Sequence, residues 1–171
     1  LGSCDIFASF LGPNGRWSKA INLGPSINTA LWESQPSIAP DGRTLYFVRG
    51  RSGNDPNMDI LYSEFKNGRW AKAKRVPGEV NTISQETSPF IHFDNDHLYF
   101  SSNGHPGMGD LDFFVSERQA DGTWGTPKNL GHPINTAYQE FSLIVAPDGQ
   151  TGFFSSDAME EGLGKLDLYE F

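Results

Sequence analysis

The sequence has few of the features that mark several common classes of protein. One cysteine among 171 residues permits no disulfide within the chain. No apolar run approaches the ~20 residues that a membrane helix needs, and no segment has the apolar spacing of a helix. Lys and Arg total 13 against 21 Asp and Glu, a balance that disfavours nucleic acid and anionic membranes as partners. We therefore expect no nucleic-acid partner and no direct membrane insertion.

The chain instead contains an internal repeat with a period of about 54 residues, and a period of this length indicates stacked supersecondary units. Its anchors are Asp5, Asp59, Asp112 and Asp167, then Trp17, Trp70 and Trp124, and the pairs Asn28-Thr29, Asn81-Thr82 and Asn135-Thr136. The predicted repeats span residues 1–54, 55–107 and 108–162, and a fourth begins at 163–171.

Each repeat is predicted to contain four short strands. In the copy that begins at residue 34, extended runs at 35–39, 44–48, 59–65 and 70–76 are rich in β-branched and aromatic residues. Turn residues separate them, including Asp41-Gly42 and the hairpin signal Asn67-Gly68. Four antiparallel strands per repeat form a propeller blade. We predict an all-β propeller whose innermost strands lie near 35–39, 88–92 and 142–146.

The phase of the repeat divides the chain into unequal blades. The chain begins at a third strand near Asp5 and ends at another third strand near Asp167. It therefore holds two strands of one blade, two full blades and three strands of a last blade. Because propellers close with roughly four to eight blades, we predict that this segment is part of a larger ring.

The motifs narrow the propeller type. The sequence Pro-Asp-Gly-x-Thr occurs before a strand at residues 40–44 and 147–151, and the middle copy departs from it at residues 93–97, Phe-Asp-Asn-Asp-His. This pattern resembles the WD40-like repeat of TolB-type propellers. Residues 98–109, 121–124, 129–131 and 133–136 are similar to the version in Bacteroidetes-type OmpA-family cell-envelope proteins. The resemblance covers essentially the whole chain.

In that family a helical-repeat region precedes the propeller, and a β-sandwich and a peptidoglycan-binding OmpA-like domain follow it. One relative works in the type IX secretion apparatus at the outer membrane. The resemblance therefore implies a periplasmic, outer-membrane-associated propeller whose partners are proteins of the bacterial cell envelope. Peptidoglycan contact is expected only through domains outside this segment.

Two kinds of connection lie on opposite sides of such a fold. We call one side the long-loop face, formed by loops 49–57, 102–110 and 156–165 and by the blade crossings 24–33, 77–86 and 131–140. The other side, the tight-turn face, carries the turns at 41–42, 94–95 and 148–149 and at 14–15, 67–68 and 121–122. Binding residues concentrate on long loops, so we predict the binding surface on the long-loop face.

The candidate binding residues are Trp32, Glu33, Glu86 and Glu140. The three glutamates precede the innermost strands. They form either a ring of carboxylates at the channel mouth, suited to a cation or a basic peptide, or bonds that hold each crossing in shape. Trp32 is outside the repeat register, and it either anchors a partner or covers the neighbouring blade.

No catalytic residue, cofactor or metal site is predicted. The histidines occupy unrelated repeat positions and are not placed near a common Ser, Cys or carboxylate; they are His92, His97, His105 and His132. Asp110 and Asp112 are weak calcium candidates, and the recurring Asp is better explained as an acceptor for loop N–H groups.

We predict that the chain is not an enzyme but a non-catalytic scaffold for protein–protein or cell-envelope interactions. The alternative is a carbohydrate-active enzyme or sugar-binding propeller that uses channel-lining carboxylates.

Overall fold

A computed structural model describes residues 2–158 and 164–171, and over these residues the chain forms strands and turns without an α-helix. The strands are β1 (Phe7–Ala8), β2 (Ile21–Asn22), β3 (Trp32–Ile38), β4 (Thr44–Gly50), β5 (Asp59–Lys66), β6 (Arg69–Trp70), β7 (Lys74–Arg75), β8 (Glu86–Ile91), β9 (His97–Ser102), β10 (Asp112–Glu117), β11 (Lys128–Asn129), β12 (Glu140–Val145), β13 (Gly152–Ser156) and β14 (Asp167–Glu170). Within the described residues, no helix is long and apolar enough to span a membrane.

The strands pair into four antiparallel sheets. β1 pairs with β2, β3 to β7 form a second sheet, β8 to β11 a third, and β12 to β14 a fourth. The predicted all-β fold of two full and two partial blades is confirmed. The run at 70–76, predicted as one strand, instead forms β6 and β7, which pair separately with β5.

The innermost strands are β3, β8 and β12, and they meet side by side. The backbone N–H of Ile91 in β8 donates to Ser37 Oγ in β3 at 3.1 Å. Each strand contains a bulge at a residue with positive φ, which is Gln35, Ser88 or Ser142 (φ 50°, 51° and 57°). Each of these residues lies two positions after Glu33, Glu86 or Glu140. The bulge with positive φ therefore recurs at the same repeat position in all three strands.

Three hydrophobic clusters fill the spaces between successive blades. Leu45 and Phe47 of β4 pack with residues of the first blade, whereas Tyr46 and Val48 pack with residues of the third. Both faces of β4 are therefore buried, which explains its continuous apolar sequence. Phe113 packs in a further cluster with residues of the last blade.

The recurring tryptophans differ in burial, although their equivalent positions in the repeat predict that all three are largely buried between blades. Trp124 is 3% exposed and packs on the second blade, whereas Trp70 is half-buried beside Ile6 and Leu23 of the first blade. Trp17 belongs to the first, partial blade and is 68% exposed. Trp70 and Trp124 are each covered by the preceding blade, so the burial of this Trp depends on the neighbouring blade and not on the repeat position alone.

Candidate functional site

In each blade crossing, an asparagine side chain forms two hydrogen bonds with the backbone N–H and C=O of one residue, as a neighbouring strand would. In the third crossing, Asn135 Oδ1 accepts from Phe113 N at 2.8 Å and its Nδ2 donates to Phe113 O at 2.9 Å. Asn28 bonds Ile6 and Asn81 bonds Ile60 in the same way. The recurring asparagine therefore ties the crossing to the third strand of the blade before it.

The three candidate glutamates are fully buried inside the crossings, at 0% exposure. Each accepts from the hydroxyl of the threonine four residues earlier, at 2.6 Å. In the first crossing Arg49 Nε donates to Glu33 Oε1 at 2.7 Å, and Glu86 receives a hydrogen bond from Ser102 at 2.9 Å. The structure therefore places these carboxylates in bonds that shape the crossings, away from the surface.

Among the described residues, Glu140 has no cationic partner comparable to Arg49 beside Glu33. Ser156 replaces it, with Oγ donating to Glu140 Oε1 at 3.2 Å. Burial raises the pKa of Glu140, against the hydrogen bonds from Thr136 and Ser156 that lower it, and the nearby Asp112 carboxylate raises it further. The third crossing therefore contains a carboxyl group whose ionisation opposes folding.

Glu140→Gln is expected to flatten part of the pH dependence of stability. Because the native state holds the Glu140 proton more tightly than the unfolded chain, the wild type loses stability as pH rises from about 4.5 through the native pKa. The variant cannot ionise there and is expected to lose less. Urea denaturation at pH 4 to 8 measures the difference. The matched change Glu33→Gln removes the negative charge that pairs with Arg49 and is expected to destabilise the protein at pH 7. An equal change in the pH dependence of stability for both variants would contradict the assignment.

Trp32 begins β3 and is half-buried. Its ring packs against the cluster between the second and third blades, and Gly53 of loop 49–57 lies against the indole. Trp32 therefore supports the loop above it and keeps part of its surface towards solvent. Both interpretations of Trp32 remain compatible with this placement.

The long-loop face presents apolar side chains to solvent at all three crossings and at one loop. The exposed side chains are Leu31 at 40%, Ile83 at 91%, Met108 at 50% and Tyr138 at 42%. Loop 156–165 includes residues 159–163, which lie outside the described residues. Each of the three crossings therefore exposes an apolar side chain beside polar loop residues.

Beside Leu31 the same face has an open cleft of about 440 Å³. Arg49, Arg51 and Arg75 line it together with Asp55 and Asp59. Asp55 holds the adjoining loop: its carboxylate accepts from Arg51 N at 2.6 Å and from the guanidinium at 2.9 and 3.0 Å. The cleft is therefore a charged recess with ordered walls next to an exposed apolar side chain.

The channel side of the fold has a groove of different character. It has a volume of about 220 Å³ and is lined by the bulged segments of β3, β8 and β12, among them Pro36, Pro89 and Leu143. Its lining residues are Gln, Pro, Ser, Phe, Leu and Ile. The channel-lining carboxylates on which the sugar-binding alternative depends do not line this groove.

The recurring aspartates accept hydrogen bonds from the loop that precedes them, as predicted, in three of four copies. Asp112 Oδ2 accepts from Met108 N at 2.8 Å and from Gly109 N at 3.0 Å. Asp5 and Asp167 accept from loop N–H groups in the same manner, whereas Asp59 pairs with Arg75. Asp110, the other calcium candidate, is exposed and accepts from Gln139 at 3.0 Å.

Two of the four histidines share a carboxylate, contrary to the sequence interpretation. His92, Asp94 and His97 have ligand-type atoms within 4.8 Å of one another. The sequence contained a signal for this cluster, since the middle repeat departs from Pro-Asp-Gly-x-Thr at this turn. A tight turn places residues 92 and 97 opposite each other.

No protein-family model matches the chain, and no curated protein matches it. Solved structures do share its fold. TolB from Acinetobacter baumannii matches 92% of this chain at 14% identity (TM-score 0.55), and a putative TolB from Agrobacterium tumefaciens matches 96% at 14% identity (TM-score 0.59). This chain spans 33% and 56% of those two chains. The chain has a TolB-like propeller fold.

A puromycin-hydrolyzing peptidase from Mycobacterium tuberculosis also shares the fold, with 17% identity, a TM-score of 0.56 and coverage of 89% of this chain and 24% of that one. This likeness overturns the prediction that the chain is not an enzyme. The prediction is based on histidines at unrelated repeat positions and on the lack of a catalytic set in the sequence, whereas the same fold is present in a peptidase. At these identities the likenesses show the fold and no activity.

Proposed function

We propose that this propeller segment binds a protein partner of the bacterial cell envelope through its long-loop face. The observation that carries the proposal is the repeated exposure of apolar side chains at the crossings, above all Ile83 at 91%. Exposed apolar groups surrounded by polar residues are typical of protein-docking surfaces. The charged cleft beside Leu31 supplies a polar rim.

The repeat motifs support a more specific setting. Their similarity to Bacteroidetes-type OmpA-family proteins supports a periplasmic location and association with the outer membrane, in an OmpA-family or type IX secretion context. The partner is then an envelope protein. Trp32 and the buried Glu33, Glu86 and Glu140 contribute indirectly, since they hold the crossings and loop 49–57 that form the surface.

The test is a comparison of partner recovery between the two faces. Ile83→Asp and Leu31→Asp place charges on the long-loop face and are each expected to lower recovery from the native envelope fraction by tenfold or more, since a buried hot spot contributes about 2 kcal/mol or more. Phe93→Asp is the matched control, because Phe93 is 56% exposed on the tight-turn face.

Circular dichroism first establishes that the three variants fold. Loss of partner only in the Phe93→Asp variant, or equal loss in all three, would contradict the face assignment. Identification of the retained protein by mass spectrometry then tests the envelope setting separately from the face.

A further inference from the structure

A tight turn in the third blade gathers two imidazoles around one carboxylate. The turn joins β8 to β9 and is closed by bonds from His92 N to His97 O at 2.9 Å and from Asn95 N to His92 O at 3.0 Å. Asp94 Oδ2 lies 2.9 Å from His92 Nδ1 and 2.7 Å from His97 Nδ1. Three potential ligand atoms therefore converge on one point of the tight-turn face.

The contact of His92 Nε2 determines which ring nitrogen can bind a ligand. Nε2 lies 3.0 Å from Ala146 O, and a carbonyl only accepts, so Nε2 carries a hydrogen. In a neutral ring Nδ1 is then an acceptor, which receives a long hydrogen bond of 3.4 Å from Asp94 N and faces the Asp94 carboxylate oxygen at 2.9 Å. Two acceptors at this distance need a proton or a cation between them. A cation satisfies both without charging an imidazole side chain that is only 8% exposed.

The backbone prepares Asp94 for the same role. Its Oδ1 accepts from Asp96 N at 2.8 Å and from His97 N at 3.1 Å, which leaves Oδ2 directed at the rings. Both carboxylate oxygens of Asp94 are therefore positioned, Oδ1 by two backbone N–H groups and Oδ2 beside the two imidazoles.

We propose that His92, Asp94 and His97 bind one divalent transition-metal ion of the zinc type. Imidazole nitrogen suits zinc, copper, nickel and iron, and metal-bound histidines donate their second N–H to a carbonyl, as His92 does to Ala146. Three protein ligands leave one position open, and the side chains of Asp94 and His97 are each 38% exposed, which provides an entry path.

The other blades show that the turn does not need this triad. Asp41 accepts from Arg43 N at 2.7 Å and Asp148 accepts from Gln150 N at 3.0 Å, so the aspartate alone suffices to shape the turn. Histidines at 92 and 97 are thus additions to a turn that is already stable. The site lies on the tight-turn face, so it is independent of the proposed partner surface.

The test uses Co²⁺ as a spectroscopic probe on the chelator-treated chain. We expect one Co²⁺ per chain, with visible d–d absorption that Zn²⁺ abolishes by displacement. Asp94→Asn and His97→Ala are each expected to weaken Zn²⁺ binding at least tenfold in isothermal titration calorimetry. Asp41→Asn makes the matched change in the second blade and is expected to bind like the wild type.

Circular dichroism and thermal unfolding confirm that each variant folds, and His97→Gln replaces His97→Ala if that variant does not. Absence of d–d bands in the wild type would overturn the proposal and identify the three side chains as a hydrogen-bonded turn only. Wild-type affinity in both Asp94→Asn and the His97 variant would overturn it equally.

Discussion

Replacing Trp124 with alanine is expected to lower the free energy of unfolding by about 3–5 kcal/mol, the usual cost of removing a buried core aromatic. Trp124 is 3% exposed. Its ring meets Tyr46 of the second blade edge-on at 6.1 Å, and the Arg118 guanidinium lies 5.0 Å from its centre. The substitution opens a cavity between two blades and removes both contacts.

The other two recurring tryptophans are internal controls for this result. Trp17 is 68% exposed, so Trp17→Ala is expected to change stability by only about 0.5 kcal/mol. Trp70 is half-buried with an edge-on contact to Phe65 at 5.2 Å, and its replacement is expected to cost an intermediate amount. Urea denaturation of the three variants measures the series. Equal losses at all three positions would show that repeat position, and not the covering blade, determines the cost.

This gradient also shows what a repeat can and cannot predict. The period located the strands because each copy repeats its turn residues and its apolar runs. The burial of equivalent residues in different repeats depends on the neighbouring blade that packs against them. The repeat period carries no information about that contact. Trp17 and Trp124 have the same place in their repeats and opposite environments.

The partners of the candidate site residues were also only partly predictable from the sequence. The sequence left Glu33 open to two interpretations, since a threonine four residues earlier does not establish a bond. The structure shows that bond, with Thr29 Oγ1 donating to Glu33 Oε1 at 2.6 Å. Distant partners were harder to predict: Arg49 reaches Glu33 because β3 and β4 pair Glu33 opposite Arg49, and this register is a property of the folded sheet.

His92 and His97 belong to a cluster that comparison of the repeats does not reveal, because it occurs in one repeat only. Residues 93–97 look like a degraded copy of Pro-Asp-Gly-x-Thr when the repeats are compared. In the folded turn, His92 and His97 oppose each other and Asp94 lies between them. Comparing repeats finds what the blades share, whereas a site specific to one blade requires the geometry of that blade.

Replacing Asn135 with alanine is expected to cost about 2–4 kcal/mol, since a buried group left unsatisfied costs about 1–3 kcal/mol. Asn135 and Phe113 are both 0% exposed. The variant leaves Phe113 N and O without the hydrogen bonds of 2.8 and 2.9 Å that Asn135 supplies. The crossing also loses the bond from Asn135 Nδ2 to Asn129 Oδ1 at 2.8 Å. Urea denaturation measures the cost, and amide hydrogen exchange at Phe113 locates it.

Asn14→Ala is the matched control for Asn135→Ala, because Asn14 Oδ1 accepts from Arg16 N at 3.1 Å in an exposed turn. Water can replace that bond, so its loss is expected to change stability by only about 0.5 kcal/mol. Asn135→Asp retains an acceptor for Phe113 N but removes the donor and buries a charge near Asp112, so it is expected to destabilise at least as much as alanine. If Asn135→Ala costs no more than Asn14→Ala and Phe113 exchanges at the wild-type rate, the asparagine does not fasten the crossing, and the repeated Asn-Thr pair needs another physical explanation.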